Sequence, residues 1–286
     1  MPTHELLATC WTSAGDSAPL RNELSPLPLE ERVRAIAAGG WQGIGLNATD
    51  LRAARDHIGW SGLRDLVDAA GLRHTEVELV SDWWTTGAPK VESDATRDLL
   101  LDAAVALGAR HVKAGCPFGA DPSTWPTLVA PLRELVGVAG ERGVRVALEP
   151  LPFSSVASVP LGARLVAEVD HPGLGLLVDA WHVFRAGTGL EELRDALPPG
   201  SVFGVELDDA DPEVVGTLFE DTVERRRYPG EGCFDLEGLV RVVAGTGFTG
   251  PWGVEVISAE HRALPVEEGL RRAHESASAL LTRALG

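Results

Sequence analysis

Short apolar segments alternate with longer amphipathic segments along the chain. In the longer segments, apolar residues recur every three or four positions and most segments end at glycine, as helices do. The pattern predicts eight strands, at residues 5–11, 43–47, 74–80, 110–115, 145–150, 175–180, 202–207 and 252–257. It predicts a helix after each strand, at residues 28–40, 60–71, 95–108, 128–143, 161–173, 190–200, 235–247 and 265–286.

Strict alternation of eight strands and eight helices predicts an α/β fold, a single (β/α)₈ barrel over residues 1–286. An open doubly wound sheet is the competing fold, but no G-x-G-x-x-G sequence opens the first helix. A chain of this length is ordinary for one barrel, and no linker or change in composition indicates a second domain. The longest irregular stretch, 208–233, follows the seventh strand.

The net charge of −17 argues against a nucleic-acid or anionic-membrane partner. We expect a small-molecule substrate, with a homo-oligomer left open. No apolar stretch approaches the roughly 20 residues of a membrane helix, and the first residues do not resemble a secretion signal, so we expect a cytoplasmic protein. Three widely spaced cysteines, Cys10, Cys116 and Cys233, are expected to be buried thiols rather than disulfides or metal ligands.

The last four predicted strands each carry an acid at the carboxyl end, namely Glu149, Asp179, Glu206 and Glu255. In (β/α)₈ barrels the active site lies at this end. Four like charges on adjacent strands repel one another strongly unless a cation joins them. Oxygen ligands suit hard divalent ions, so the sequence predicts a site for Mn²⁺ or Mg²⁺. Alternatively, each acid pairs with an arginine or caps the following helix.

Five segments carry a resemblance to a known family: VALEPLP, LLVDAWHVFRAG, VELDDA, RRRYPGEGCFDLEGLV and GFTGPWGVEVIS. In this order and spacing they resemble the sugar phosphate isomerase/epimerase family, the xylose isomerase-like TIM barrels. The resemblance covers nearly the whole chain and is strongest from 143 to 258. It is specific for the fold and the metal site, and poorly specific for the substrate.

The resemblance implies one divalent metal ion held by Glu, Asp, His and Glu on strands five to eight. Glu149, Asp179 and Glu255 match three of these positions, whereas Glu206 stands where the family carries histidine. Glutamate is a competent oxygen ligand and favours Mn²⁺ or Mg²⁺ over Zn²⁺. The resemblance also implies that Glu149 and Glu255 are the catalytic acid and base, and that His182 binds substrate beside the metal. Alternatively, His182 bonds a backbone carbonyl at the start of a helix.

Further candidates for substrate binding are Arg226, Lys113, Trp11 and Trp181. Arg226 matches a substrate-binding arginine of the family, although its two neighbours are also arginines. Lys113 is either an inward-pointing cation, with His111 deeper in the barrel, or a side chain along the rim. Tryptophans near strand ends form walls for a polyol or ring substrate, or fill the barrel core. The segment 229–232, PGEG, is a turn or an anion-binding loop.

The chemistry predicted is an isomerase or epimerase that acts on a sugar, polyol or related keto-hydroxy compound through an enediolate. Ser155 stands where ketose 3-epimerases of the family carry a substrate-binding glutamate, which keeps a dehydratase of the inosose or dehydroshikimate type as the alternative. The acidic charge and the missing histidines argue against a class II apurinic endonuclease, which shares the fold. A further alternative is a barrel without catalytic activity that serves as a binding protein. Elemental analysis for bound metal would distinguish it from a metal-dependent enzyme.

Overall fold

The computed structural model describes residues 4–286, so residues 1–3 of the predicted domain lie outside the described part. Eight parallel strands hydrogen-bond in chain order, and the eighth also pairs with the first, which closes the barrel. The strands are β1 Leu6–Ala8, β2 Gly43–Asn47, β3 His74–Val80, β4 Val112–Ala114, β5 Val146–Leu148, β6 Leu174–Asp179, β7 Val202–Leu207 and β8 Trp252–Val254. The predicted (β/α)₈ barrel is confirmed.

Eight helices pack around the outside of the barrel: α2 Leu29–Ala38, α3 Ala48–Ala69, α4 Ala88–Leu107, α5 Val129–Glu141, α6 Val159–Val169, α8 Leu190–Ala196, α10 Leu236–Gly245 and α12 Val266–Leu285. A 3₁₀ segment, Pro122–Leu128, precedes α5. Four short helices, α1 Cys10–Ser13, α7 Ala180–Arg185, α9 Leu218–Glu224 and α11 Ala259–Arg262, lie in the connections that follow β1, β6, β7 and β8. These short helices therefore build the end of the barrel where the acids were predicted.

The predicted element bounds differ most at α3, which begins at Ala48 rather than at residue 60. Asn47 caps its first turn by accepting a hydrogen bond from the backbone N–H of Asp50. The helix is interrupted at Gly59, whose φ of 69° is unfavourable for residues with a side chain, and the apolar periodicity becomes clear only after this break. Strands β2, β3 and β7 have the predicted bounds, whereas β1, β4, β5 and β8 contain three residues each.

The barrel interior contains a small apolar cluster on β5, β6 and β7. Ala147, Leu177 and Phe203 form a small buried cluster of their own, separate from the large core that packs the strands against the helices. Two residues further along β5 and β6, the same inward face carries Glu149 and Asp179. Along β5 and β6 the apolar residues therefore lie one layer below the acids, consistent with the layered packing of such barrels.

No helix among residues 4–286 is both long and apolar enough to cross a membrane. The three cysteines are free thiols. Cys10 and Cys116 are buried as expected, but Cys233 is exposed, because it follows the turn 229–232 at the surface. The expectation of a buried thiol at Cys233 is therefore wrong.

Candidate active site

The four predicted metal ligands converge at the carboxyl end of the barrel. Glu149 and Glu255 directly follow β5 and β8, Asp179 ends β6, and Glu206 lies in β7. Four carboxylate oxygens, one from each residue, lie within 4.8 Å of one another. Their residues are at most 6% exposed. The structure thus brings the four strand-end acids into one buried group.

Lys113 points into the barrel from β4 and is 2% exposed. Its Nζ lies 2.7 Å from Oε1 of Glu206, 3.7 Å from Oε1 of Glu255 and 4.0 Å from Oε2 of Glu149. It also forms an ion pair with Glu78 of β3. The inward orientation is therefore the one observed, and carboxylates already surround the ammonium group.

Arg226 is the one of three consecutive arginines whose side chain enters the site. Its Nη1 donates to Oδ2 of Asp179 at 2.7 Å, lies 3.1 Å from Oε2 of Glu255, and also pairs with Asp208. Its other nitrogens, Nε and Nη2, donate to the hydroxyl of Thr222, which belongs to α9. Arg227 instead points outward to two exposed acids. Of the three consecutive arginines, Arg226 is thus the one at the site.

His182 lies in the first turn of α7, which Asp179 caps by accepting a hydrogen bond of 2.8 Å from the His182 backbone N–H. The imidazole turns back toward β5, and its Nε2 lies 3.3 Å from Oε1 of Glu149. His182 is 4% exposed and lines the cavity above the carboxylates. The structure therefore places it where the family resemblance implied, beside the acids.

A cavity of about 370 Å³ opens above this charged group. Its floor includes Glu78, Lys113, Glu149, His182, Arg226 and Glu255. Its wall contains four aromatic side chains, Trp11, Phe118, Phe153 and Phe219, and the three phenylalanines pack edge to face or tilted against one another. A polar floor below an aromatic wall is the usual composition of a pocket for a small molecule.

The two predicted tryptophans have different positions. Trp11 is half-buried in the cavity wall. Trp181 is 0% exposed and lies behind the site, where its indole N–H donates to Asp221 and its ring packs against His182 and Arg226. We therefore correct the expectation for Trp181, which supports two cavity residues instead of facing the cavity. The turn 229–232 offers its Gly230 N–H to Asp209, so that amide is already used.

Sequence reasoning missed the buried acids Glu76 and Glu78, and it did not place the buried Asp208 among the four strand-end acids. Alternation provides the signal: Glu76 and Glu78 are two residues apart on β3, and Asp208 is two residues beyond Glu206. It also missed the three phenylalanines, of which Phe118 and Phe153 lie in loops and Phe219 in the short helix α9, where no periodic pattern marks them. Below Lys113, His111 is buried as predicted, with Nε2 3.4 Å from Oε2 of Glu76.

Among residues 4–286, seven buried carboxylates therefore surround two permanent cations, Lys113 and Arg226. Burial raises the pKa of Glu206 and of Asp208 well above the ordinary range, and nearby carboxylates add to it. Burial also raises the pKa of Glu255 to about 8, against the opposing effect of Lys113 and Arg226. Burial opposes ionisation of Glu149 too, but Lys113 and His182 lower its pKa to about 2.

This donor set fits a divalent cation. Two oxygens of the group, Oε2 of Glu206 and Oε1 of Glu255, are buried without a hydrogen-bond partner among residues 4–286. Buried carboxylate oxygens without partners are costly, and their excess negative charge is what a hard cation neutralises. The four strand-end acids supply oxygen ligands only, the set that Mg²⁺ and Mn²⁺ prefer.

The raised pKa of Glu255 predicts how stability depends on pH when EDTA keeps metal ions away. Unfolding frees the carboxyl to ionise at its ordinary pKa of 4.5, whereas the folded chain keeps the proton until about pH 8. Since the folded state binds more protons in between, the free energy of unfolding should fall as pH rises from 6.5 to 8. Burial lowers the pKa of His261, so this residue changes the pH dependence of the free energy of unfolding only below pH 6.5, the ordinary pKa of histidine.

Urea denaturation at pH 6.5 and pH 8 measures this difference, and Glu255→Gln should reduce it. A free energy of unfolding that rises over the same interval would contradict the assignment of an excess of buried acid to this site.

By fold and site, the protein is a (β/α)₈ barrel with a buried carboxylate group below an aromatic-walled cavity. It belongs to the xylose isomerase-like TIM barrel family, whose sequence profile matches residues 33–277. This confirms the family resemblance found in the sequence.

Named relatives in this family are enzymes. The chain is 27% identical over 247 residues to the 3-dehydroshikimate dehydratase of Pseudomonas putida, covering 84% of this chain and 38% of that protein. It is 29% identical over 147 residues to the inosose isomerase of Bacillus subtilis, covering 51% of each. The crystal structure of the IOLI protein with a zinc atom superposes with a TM-score of 0.83 at 20% identity, over 99% of both chains. The chain spans about two fifths of the length of the two curated 3-dehydroshikimate dehydratases from Pseudomonas that it matches.

Proposed function

We propose that the protein is a divalent-metal-dependent isomerase or epimerase that acts on a polyhydroxylated ketone through an enediolate. The observation that carries the proposal is the placement of Glu149 and Glu255 together at the floor of one small cavity, each beside a permanent cation. Two carboxyl groups at one substrate-sized cavity can remove a proton and return it elsewhere.

The residues that would hold the metal are Glu149, Asp179, Glu206 and Glu255. A divalent ion bound there would polarise the substrate carbonyl and the neighbouring hydroxyl, which acidifies the carbon between them. The zinc atom of the IOLI crystal structure supports a metal in this fold, although the all-carboxylate donors of this chain favour Mn²⁺ or Mg²⁺.

The surroundings of the two glutamates favour different roles. Lys113 and His182 stabilise ionised Glu149, so this carboxylate is suited to accept a proton. In the metal-free chain burial raises the pKa of Glu255, so it holds a proton more readily than Glu149 does, and we assign it the return of the proton. Arg226 contacts both Asp179 and Glu255, so we assign it the role of orienting these groups at the cavity floor.

The cavity favours one small cyclic substrate. Its volume of about 370 Å³ is at the lower end for ligand pockets. The aromatic wall of Trp11, Phe118, Phe153 and Phe219 offers ring faces and edges to the C–H groups of a substrate ring, while the hydroxyl groups and the ketone would face the polar floor. Two relatives, inosose isomerase and 3-dehydroshikimate dehydratase, are named after ring compounds of this kind.

A dehydratase is the second candidate, and a specific contact favours it. Nε2 of His182 lies 3.3 Å from Glu149, so one more group that can carry a proton faces the cavity beside the proposed base. After Glu149 removes a proton, such a group can protonate a departing β-hydroxyl. The two relatives that match 84% and 85% of this chain are both dehydratases.

One experiment tests both candidates. The Mn²⁺-loaded protein is incubated in D₂O with an inosose, with 3-dehydroshikimate and with a free ketohexose, and the products are followed by NMR. Isomerisation or epimerisation gives a product of unchanged composition that carries deuterium at carbon, whereas dehydration removes one water. Absence of both turnover and exchange with every compound, in protein shown to hold its metal, would contradict the proposal.

Glu206 is proposed as the fourth ligand, so Glu206→Ala should weaken Mn²⁺ binding by about 10-fold or more. Glu206→His should retain the ion and shift preference toward Zn²⁺. Isothermal titration measures both. Glu23→Ala is the matched control, because Glu23 lines the same cavity but lies outside the carboxylate group. Unchanged affinity in Glu206→Ala would exclude Glu206 as a ligand.

A further inference from the structure

We propose that the barrel contains two adjacent cation positions that share Glu206, and that the ammonium group of Lys113 permanently fills the inner one. The outer position is the proposed metal site. The inner one lies between β3, β4 and β7, and no role has been assigned to it. Without the lysine, the inner position would bind a divalent metal ion.

The inner position has its own set of donors. Oxygens of Glu76, Glu78 and Glu206 lie within 4.8 Å of one another, which is the spacing of a metal-binding group. All three residues are at most 5% exposed. Nζ of Lys113 lies 2.7 Å from Glu206 and 4.0 Å from Glu76, and it forms an ion pair with Glu78. The ammonium group therefore lies against every member of this group.

Glu206 belongs to both positions, and its two oxygens are used differently. Oε1 accepts a hydrogen bond from Lys113, whereas Oε2 is buried and has no hydrogen-bond partner among residues 4–286. One oxygen is thus held by the inner cation and the other is free for the outer one. A carboxylate that bridges two cations is the arrangement found between the ions of two-metal sites.

The contacts of Lys113 argue against substrate binding as its main role. Its ammonium group has one hydrogen bond and four further ion-pair contacts, all with carboxylates, and the side chain is 2% exposed. From below, His111 lies 3.4 Å from Glu76 and completes the surroundings. Oε1 of Glu76 nevertheless has no hydrogen-bond partner in the described chain, so the inner group is still short of donors. A monovalent group that fills this position restricts the barrel to one divalent ion.

Lys113→Ala tests the inference by opening the inner position. After loading with Mn²⁺ and gel filtration, elemental analysis should give one ion per chain in the native protein and two in Lys113→Ala. The added ion should disappear in Lys113→Ala/Glu76→Gln/Glu78→Gln, which retains the outer ligands. A folded Lys113→Ala that holds no more ions per chain than the native protein, or two ions in the native protein, would overturn the inference.

A second measurement does not require Lys113→Ala to fold. Lys113→Met keeps the length of the side chain but removes the charge, so Tm in EDTA should fall by about 5 °C or more. Adding Glu206→Gln removes a carboxylate that the lysine neutralised, and should restore most of that loss. A merely packing role of Lys113 predicts no recovery, and the absence of recovery would overturn the inference.

The inference rests on the proposed function only for the outer ion. The same ion counts distinguish a failure of the inference from a failure of the proposed function. If the native protein binds no ion and Lys113→Ala binds one, the proposed function fails while the inner position is supported. If both bind one ion, the proposed metal site stands and the inner position is excluded.

Discussion

Glu149→Gln and Glu255→Gln are each expected to lower kcat by about 10²–10⁴-fold, the usual contribution of a positioned general acid or base. Glutamine keeps the shape of the side chain and one oxygen for coordination, but it cannot accept or deliver the proton. Both residues lie at the cavity floor and are at most 6% exposed, so solvent cannot readily replace them. The measurement is kcat on whichever substrate is converted in the D₂O experiment.

The two variants are expected to differ in proton exchange. Loss of the group that returns the proton should still permit wash-in of solvent deuterium by the other glutamate, while net conversion stops. Glu23→Gln, a glutamate at the same cavity outside the carboxylate group, is the matched control and should keep nearly full activity. Full activity in both Glu149→Gln and Glu255→Gln would leave the acids as a metal site without a role in proton transfer.

Arg226→Met is expected to destabilise the metal-free protein by about 3–5 kcal/mol, the typical cost of removing one partner from a buried ion pair. Arg226 contacts Asp179, Asp208 and Glu255, and these three acids are at most 3% exposed. Without the guanidinium group, their charges stay buried and lose a shared partner. Methionine preserves most of the volume, so the loss is mainly electrostatic.

The neighbouring Arg227 provides the control. It pairs with Asp211 and Glu260, whose side chains are 40% and 58% exposed, so Arg227→Met should cost about 1 kcal/mol or less. Urea denaturation with EDTA measures both variants, and Mn²⁺ should restore part of the stability of Arg226→Met only. Equal effects of the two substitutions would contradict the assignment of Arg226 to the buried network.

The fold was largely predictable because each strand–helix unit has a clear local pattern. The exceptions occur where helix caps, rather than apolar periodicity, determine where a helix begins. Asn47 starts α3 twelve residues before its apolar periodicity becomes regular after Gly59. The short helices at the end of the barrel have four to seven residues, too few to show a period of 3.6. Their starts depend on caps that Asp179, Thr217 and Ser258 provide, together with tertiary contacts.

The carboxylate group was predictable because one residue type recurs at the ends of consecutive strands. Four acids at the ends of consecutive strands pointed to one group, and the structure brings them together. Glu76 and Glu78 were missed because their inward direction follows from the register of β3, which the sequence does not state. Trp181 and His182 are adjacent on α7, about 100° apart around the helix, so only one of them can face the cavity.

The most direct test of the account is a crystal of the protein soaked in Mn²⁺, with diffraction data collected at a wavelength where manganese scatters anomalously. The account predicts one anomalous peak per chain, located among the carboxylates of Glu149, Asp179, Glu206 and Glu255, with no peak at the ammonium group of Lys113. A fully soaked crystal with no peak among these four carboxylates would contradict it.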